Sequence, residues 1–167
     1  MIDIATQTLN YYIQNKIPTK DELEIKDISF KYIKSVFITL YNSEIISANI
    51  VDLENDIIYE IIHSTVEAFN DKRFDNKKLN LKDIKIRLDH VKNRVSINNK
   101  SIKQVNPIKY GIIVIKKDYS KTRVILPNIS TKLNSDDLIT YIKKLDEVYN
   151  ENDYINYIIE TKIFRNF

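Results

Sequence analysis

Ser35-Val36-Phe37-Ile38-Thr39-Leu40-Tyr41, followed by Asn42-Ser43 and then Glu44 to Val51, is the stretch on which the fold turns. The first run is β-branched and aromatic, which predicts a buried strand rather than a helix. Asn42-Ser43 is a short polar break suited to a tight turn, so Glu44 to Val51 reads as a second strand returning beside the first.

Working outward, Ile2, Ala5, Leu9, Tyr12 and Ile13 recur at helical spacing and predict an amphipathic first helix that ends before Pro18. A charged connector, Thr19 to Asp27, separates it from the strand pair. Downstream, Ile58, Ile61, Ile62, Thr65, Val66 and Phe69 form the apolar stripe of a second helix, which Asn55 or Asp56 could cap. After the polar loop Asn70 to Asn76, residues 83–89 alternate Ile84, Ile86 and Leu88 with Lys85, Arg87 and Asp89, the period of a half-exposed strand. Tyr110 to Ile115 and Thr122 to Leu126 predict two more strands around a turn at Lys117 to Lys121, and Pro127 stops the second. Ser135-Asp136-Asp137 is read as the cap of a last helix whose buried face is Leu138, Ile142, Leu145 and Tyr149. Tyr154 to Phe164 alternates as a closing strand. Mixed elements without regular βαβ alternation favour an α+β fold with antiparallel pairing, with Val36, Ile38, Leu40, Ile113, Val114, Val124 and Leu126 in the core. No internal repeat or long linker divides residues 1–167, so a single domain is expected.

Composition narrows the function classes. The chain has 167 residues with 43% hydrophobic and 29% charged side chains, the profile of a globular protein. One Gly and three Pro are too few to make the turns, which falls to Asn, Asp and Ser. Abundant Ile, Asn, Lys and Tyr share AT-rich codons, a genomic bias. The net charge of +3 is spread among interleaved acids and bases, as in Lys143-Lys144-Leu145-Asp146-Glu147, rather than gathered in a basic block, which speaks against a dedicated nucleic-acid binder. The absence of Cys removes disulfides, a thiolate nucleophile and Cys-based zinc or iron–sulfur sites. No cofactor is expected. No apolar run reaches the ~20 residues of a membrane span and Met1-Ile2-Asp3-Ile4 does not begin a secretory signal, so the expectation is cytoplasmic residence without a membrane partner.

The order of segments resembles the AmmeMemoRadiSam system protein A family, whose module is the AMMECR domain. Ser35 to Leu40 is similar to that family's G-V-F-V-T-L strand, and Asp71-Lys72-Arg73-Phe74 to its D-P-R-F loop. Lys85 to Ser96 sits where the family has an I-E-V-S-V-L type strand. Tyr110 to Val114 is similar to H-G-L-I-V, and Val124-Ile125-Leu126-Pro127 to L-L-L-P. One departure stands out. Where the family carries L-R-G-C-I-G, this chain has Ile45-Ile46-Ser47-Ala48-Asn49-Ile50, so Ile46 stands for the arginine, Ser47 and Ile50 for the glycines and Ala48 for the cysteine. A guanidinium, a reactive thiol and two permissive backbone positions are missing. The resemblance implies an accessory module that keeps the scaffold, working beside a Memo-like protein and a radical SAM protein.

Among polar residues, Asp71, Arg73 and Phe74 are the candidate ligand-binding set: Arg73 could grip a phosphate or carboxylate with Asp71 orienting it, or the two could form a structural loop anchored by Phe74. Asp52, Glu54 and Asp56 resemble a hard-cation site but also suit a helix N-terminus, and they lack the turn glycine of a calcium loop. His63 and His90 have no companion at metal-ligand spacing. Tyr11, Tyr12, Tyr154 and Tyr157 invite base stacking, or serve as core edges and ordinary surface. With Gly111 the sole glycine, no nucleophile elbow or phosphate-cradling loop exists. Three functions therefore stand: a non-catalytic interaction module, an anion-binding enzyme using the Asp71/Arg73 loop, and a nucleic-acid binder.

Overall fold

A computed structural model describes residues 1–25, 35–42, 44–50, 56–71, 83–130, 134–144 and 150–167. Its elements are α1 (Ile2–Ile13), β1 (Val36–Asn42), β2 (Glu44–Ile50), α2 (Ile57–Phe69), β3 (Lys85–Ile97), β4 (Gly111–Lys116), β5 (Thr122–Ile125), α3 (Ser135–Lys143) and β6 (Tyr154–Arg165). The fold is α+β with antiparallel pairing. The chain forms two compact units: residues 1–90 with 162–167, and residues 91–161. β3 starts in the first and ends in the second, and β6 does the reverse.

In the first unit the strand order is β2-β1-β3. β1 pairs with β3 from Val36↔His90 to Tyr41↔Lys85, and with β2 from Phe37↔Ile50 to Asn42↔Glu44. The β1–β2 register slips between Leu40 and Tyr41, where Ser47 opposes Leu40 but Ile45 opposes Tyr41, leaving Ile46 as an extra residue. Because side chains alternate along a strand, Val36, Ile38 and Leu40 share a face with Ile86 and Leu88, and this face packs with Ile84 against α1 (Ile4, Ala5, Leu9) and α2 (Ile58, Ile61, Ile62, Ala68). Each such fully buried aliphatic side chain contributes roughly 1.5–3 kcal/mol. Asp56 caps α2 by accepting from Ile58 N at 2.9 Å and receives Lys20 Nζ at 2.7 Å. Lys16 and Glu22 form a second ion pair beside α1. Within α2, Glu60 is 2% exposed and its Oε1 accepts the amide of Val36 at 2.9 Å, tying the helix to the start of β1.

The second unit has the strand order β6-β4-β5. Ile112 and Val114 of β4, with Ile102, Val105, Leu138, Ile142 and Tyr154, form its core. Gly111 sits at a pinch: a Cβ there would lie 2.5 Å from Ile125 O, 2.9 Å from Ile159 Cγ1 and 2.9 Å from Pro127 Cδ. Here is the physical need for the lone glycine, a close approach and not a positive φ. Among the described residues three non-glycines take positive φ, Asn15 (58°), Tyr119 (60°) and Asn128 (51°), so asparagine supplies two of the turns for which glycine was too scarce.

Two expectations change. Helix α3 is capped not by Ser135-Asp136-Asp137 but by Asn134, which accepts the amides of Asp136 and Asp137, while Asp137 returns a bond to the Asn134 amide. The alternation of residues 83–89 marks a solvent face only at its start: Asp83 and Lys85 are exposed, but Arg87 and Asp89 are 1% and 0% exposed. The expected core residues Val36, Ile38, Leu40, Ile113, Val114 and Leu126 are buried, and Val124 is half-buried. Leu145 and Tyr149 lie outside the described residues.

Candidate functional site

The face of β1 and β3 opposite the helices is built from the alternate residues: Phe37, Thr39 and Tyr41 on β1, and Asp89, Arg87 and Lys85 on β3. Register sets them side by side as Phe37↔Asp89, Thr39↔Arg87 and Tyr41↔Lys85. On the other flank of β1, Thr39 pairs with Ala48 of β2. Ala48, Thr39 and Arg87 thus occupy one cross-strand row.

Arg87 reaches two residues along its own strand and meets Asp89 in a two-pronged bond, Nε to Oδ2 at 2.6 Å and Nη2 to Oδ1 at 2.8 Å. Burial disfavours the Arg87 charge, but the hydrogen bonds and negative field of Asp89, helped by Tyr41, more than restore it and raise its pKa. Desolvation also raises the Tyr41 phenol above its ordinary value, partly offset by the field and hydrogen bond of Arg87, so Tyr41 stays neutral across physiological pH. The Thr39 hydroxyl is fully buried and has no hydrogen-bond partner among the described residues. Desolvating a lone pair of charges is expensive, and the close fork geometry is what makes this pair tolerable inside the protein.

The other sequence candidates are placed as follows. Asp71 is half-buried just beyond the Asn70 that ends α2, whereas Arg73 and Phe74 lie outside the described residues. Asp52 and Glu54 also lie outside them, and Asp56 is occupied as cap and ion-pair partner. His63 is exposed on α2 and His90 half-buried on β3, and among the described residues no three His, Cys, Asp or Glu side chains gather as a metal set. Tyr11 donates to Glu22 O at 3.2 Å, Tyr12 exchanges hydrogen bonds with Asn70, and Tyr154 is core. Tyr157 lies beneath Arg94, whose guanidinium is 4.9 Å from the ring centroid. Sequence reasoning missed Arg87 and Asp89. The available signal was an opposite-charge pair two residues apart on a strand, which places both on the same face and within reach.

The sequence profile of the AMMECR1 family matches residues 2–164. The crystal structure of the uncharacterized protein PH0010 from Pyrococcus horikoshii is similar in fold, with a TM-score of 0.71 at 15% identity over 97% of this chain and 87% of that one. No curated protein matches the chain. Among the described residues no helix is long and apolar enough to cross a membrane.

Proposed function

The chain belongs to the AMMECR1 family, and from that premise we propose that it acts as a non-catalytic accessory module that recognises other proteins rather than turning over a substrate. In this reading it is a divergent relative of the AmmeMemoRadiSam system protein A branch, resident in the cytoplasm, with a Memo-like protein and a radical SAM protein as partners.

The observation carrying the proposal is the row Ala48–Thr39–Arg87. By resemblance, the family's cysteine falls at Ala48 and its arginine at Ile46. A thiolate nucleophile needs the sulfur itself and a nearby positive charge to hold it ionised. In this row the sulfur is replaced by a methyl, and the positive charge of Arg87 is already matched by Asp89. A row without a thiolate site favours recognition over sulfur chemistry.

The test is calorimetric titration of the purified chain with the purified Memo-like and radical SAM proteins encoded in the same genome. The expected result is a complex with either at a dissociation constant of about 1 μM, or about 8 kcal/mol. Absence of binding to both, together with a turnover traced to this chain, would overturn the proposal.

A further inference from the structure

Strand β3 outruns its partner. The β1 ladder ends at Val36↔His90, yet β3 continues to Ile97 in the second unit, where β6 is its neighbour in the sheet. Among the described strands none pairs with the other edge of residues 91–97, and residues 92–96 are exposed. Ile86 turns its N–H and its carbonyl to Asn166, just past the end of β6. Backbone groups alternate in direction along a strand, so Val91, Asn93 and Val95 turn theirs to the open edge. A row of this kind is a template for an added strand.

The side chains select the occupant. Lys92, Arg94 and Ser96 share one face of the strand, and Asn93, Val95 and Ile97 the other. Neither Lys92 nor Arg94 has a carboxylate partner among the described residues. Arg94 is held on its face by the Tyr157 ring, with its charge unmatched. A second copy arriving antiparallel about a two-fold axis would bring its own Lys92 and Arg94 onto this same face, and like charges across a strand pair repel. A strand with carboxylates on that face and apolar side chains beside Val95 meets its complement on both.

We propose that the open edge of β3 at residues 91–97 docks an extended acidic segment of a partner protein, in which carboxylates alternate with apolar residues, as an added strand. The inference rests on the accessory reading above and names the kind of segment that such a partner presents.

The full chain is titrated into trace amounts of fluorescent peptides, read by anisotropy. One peptide alternates glutamate and valine, one alternates lysine and valine, and one gathers the glutamates and valines of the first into two blocks. The alternating acidic peptide is expected to bind, and the other two roughly tenfold more weakly or not at all. Val95→Pro removes an outward N–H at an edge position that accepts proline, and is expected to weaken binding about tenfold. Lys92→Glu with Arg94→Glu is expected to reverse the preference toward the lysine peptide. Thermal melts confirm that each variant is folded. If no peptide binds at millimolar protein, if the blocked peptide binds as well as the alternating one, if both variants behave as the parent does, or if the chain self-associates and Val95→Pro makes it monomeric, the proposal is overturned. Failure of the peptides beside an intact complex with the Memo-like or radical SAM protein overturns the edge inference and leaves the accessory reading standing.

Discussion

Asp89 is held by the guanidinium of Arg87, two residues earlier on the same strand, through bonds of 2.6 and 2.8 Å, with neither side chain reaching water. An i, i+2 pair is a local contact, available as soon as the strand extends. The charges can therefore enter the interior already matched, and neither has to find a partner during collapse.

Removing one member should be far worse than removing both. Asp89→Ala leaves a buried guanidinium uncompensated and should lose about 3–5 kcal/mol in urea unfolding, whereas Arg87→Met with Asp89→Leu should return most of that loss. A double variant as unstable as the single one would mean that the pair anchors something apolar packing cannot replace.

Ala48→Cys would restore the sulfur at the position in register with Thr39. The variant should fold with near-native stability and show no thiol-dependent turnover against ester, phosphoester or disulfide substrates. A gained activity that iodoacetamide abolishes would mean that the rest of a catalytic site survives, contradicting the accessory role.

Gly111→Ala should cost at least about 1–3 kcal/mol, because the new methyl meets a backbone carbonyl that cannot step aside. Chemical denaturation would measure it. A neutral effect would mean that β4 and β5 separate more readily than their pairing implies.

Asp56 offers a pH signature. The hydrogen bond from Lys20 lowers its pKa below the ordinary 3.8, burial opposes this, and the Ile58 amide and the charge of Lys20 add to the lowering. A folded-state pKa below the unfolded one means stability present at neutral pH and lost as pH falls through and below 3.8. Asp56→Asn keeps a cap but removes this acid-side loss, and Asp56→Ala should cost about 1 kcal/mol at neutral pH. Unfolding curves from pH 7 to pH 3 distinguish the two.

For the Asp71, Arg73 and Phe74 loop we propose an anion or partner contact. Arg73→Ala should keep stability within roughly half a kcal/mol while weakening that contact, and Arg73→Lys should not substitute fully for arginine. A drop in melting temperature with unchanged binding would make Arg73 a structural clamp instead.

Much of the fold was legible because its strongest signals are local. Val36 to Leu40 is β-branched enough to be a strand whatever packs on it, and the stripe through Ile58, Ile61 and Ile62 fixes the helix and its buried face. Asn134 was passed over because Ser135, Asp136 and Asp137 are all good caps, and backbone geometry alone decides among them. The strand from Lys85 runs on to Ile97 although residues 92–96 are exposed, because hydrogen bonding extends a strand past the end of its buried pattern. Burial of Arg87 and Asp89 was hidden for a related reason: alternation reports that two faces differ, not that one of them is wet. The fastening of Asn166 to Ile86 is a pairing 80 residues distant that no spacing rule announces.

The slip at Leu40 and Tyr41 bears on how molecules of this protein treat one another. β2 forms the outer edge of the three-strand order in its unit and is rich in isoleucine, the kind of margin onto which a second copy could zip in open-ended stacking. The extra Ile46 interrupts the even beat of that margin, so a straight strand arriving from another molecule could match only half of it before falling out of step. Deleting Ile46 would restore the beat, and with it a continuous template for fibre growth.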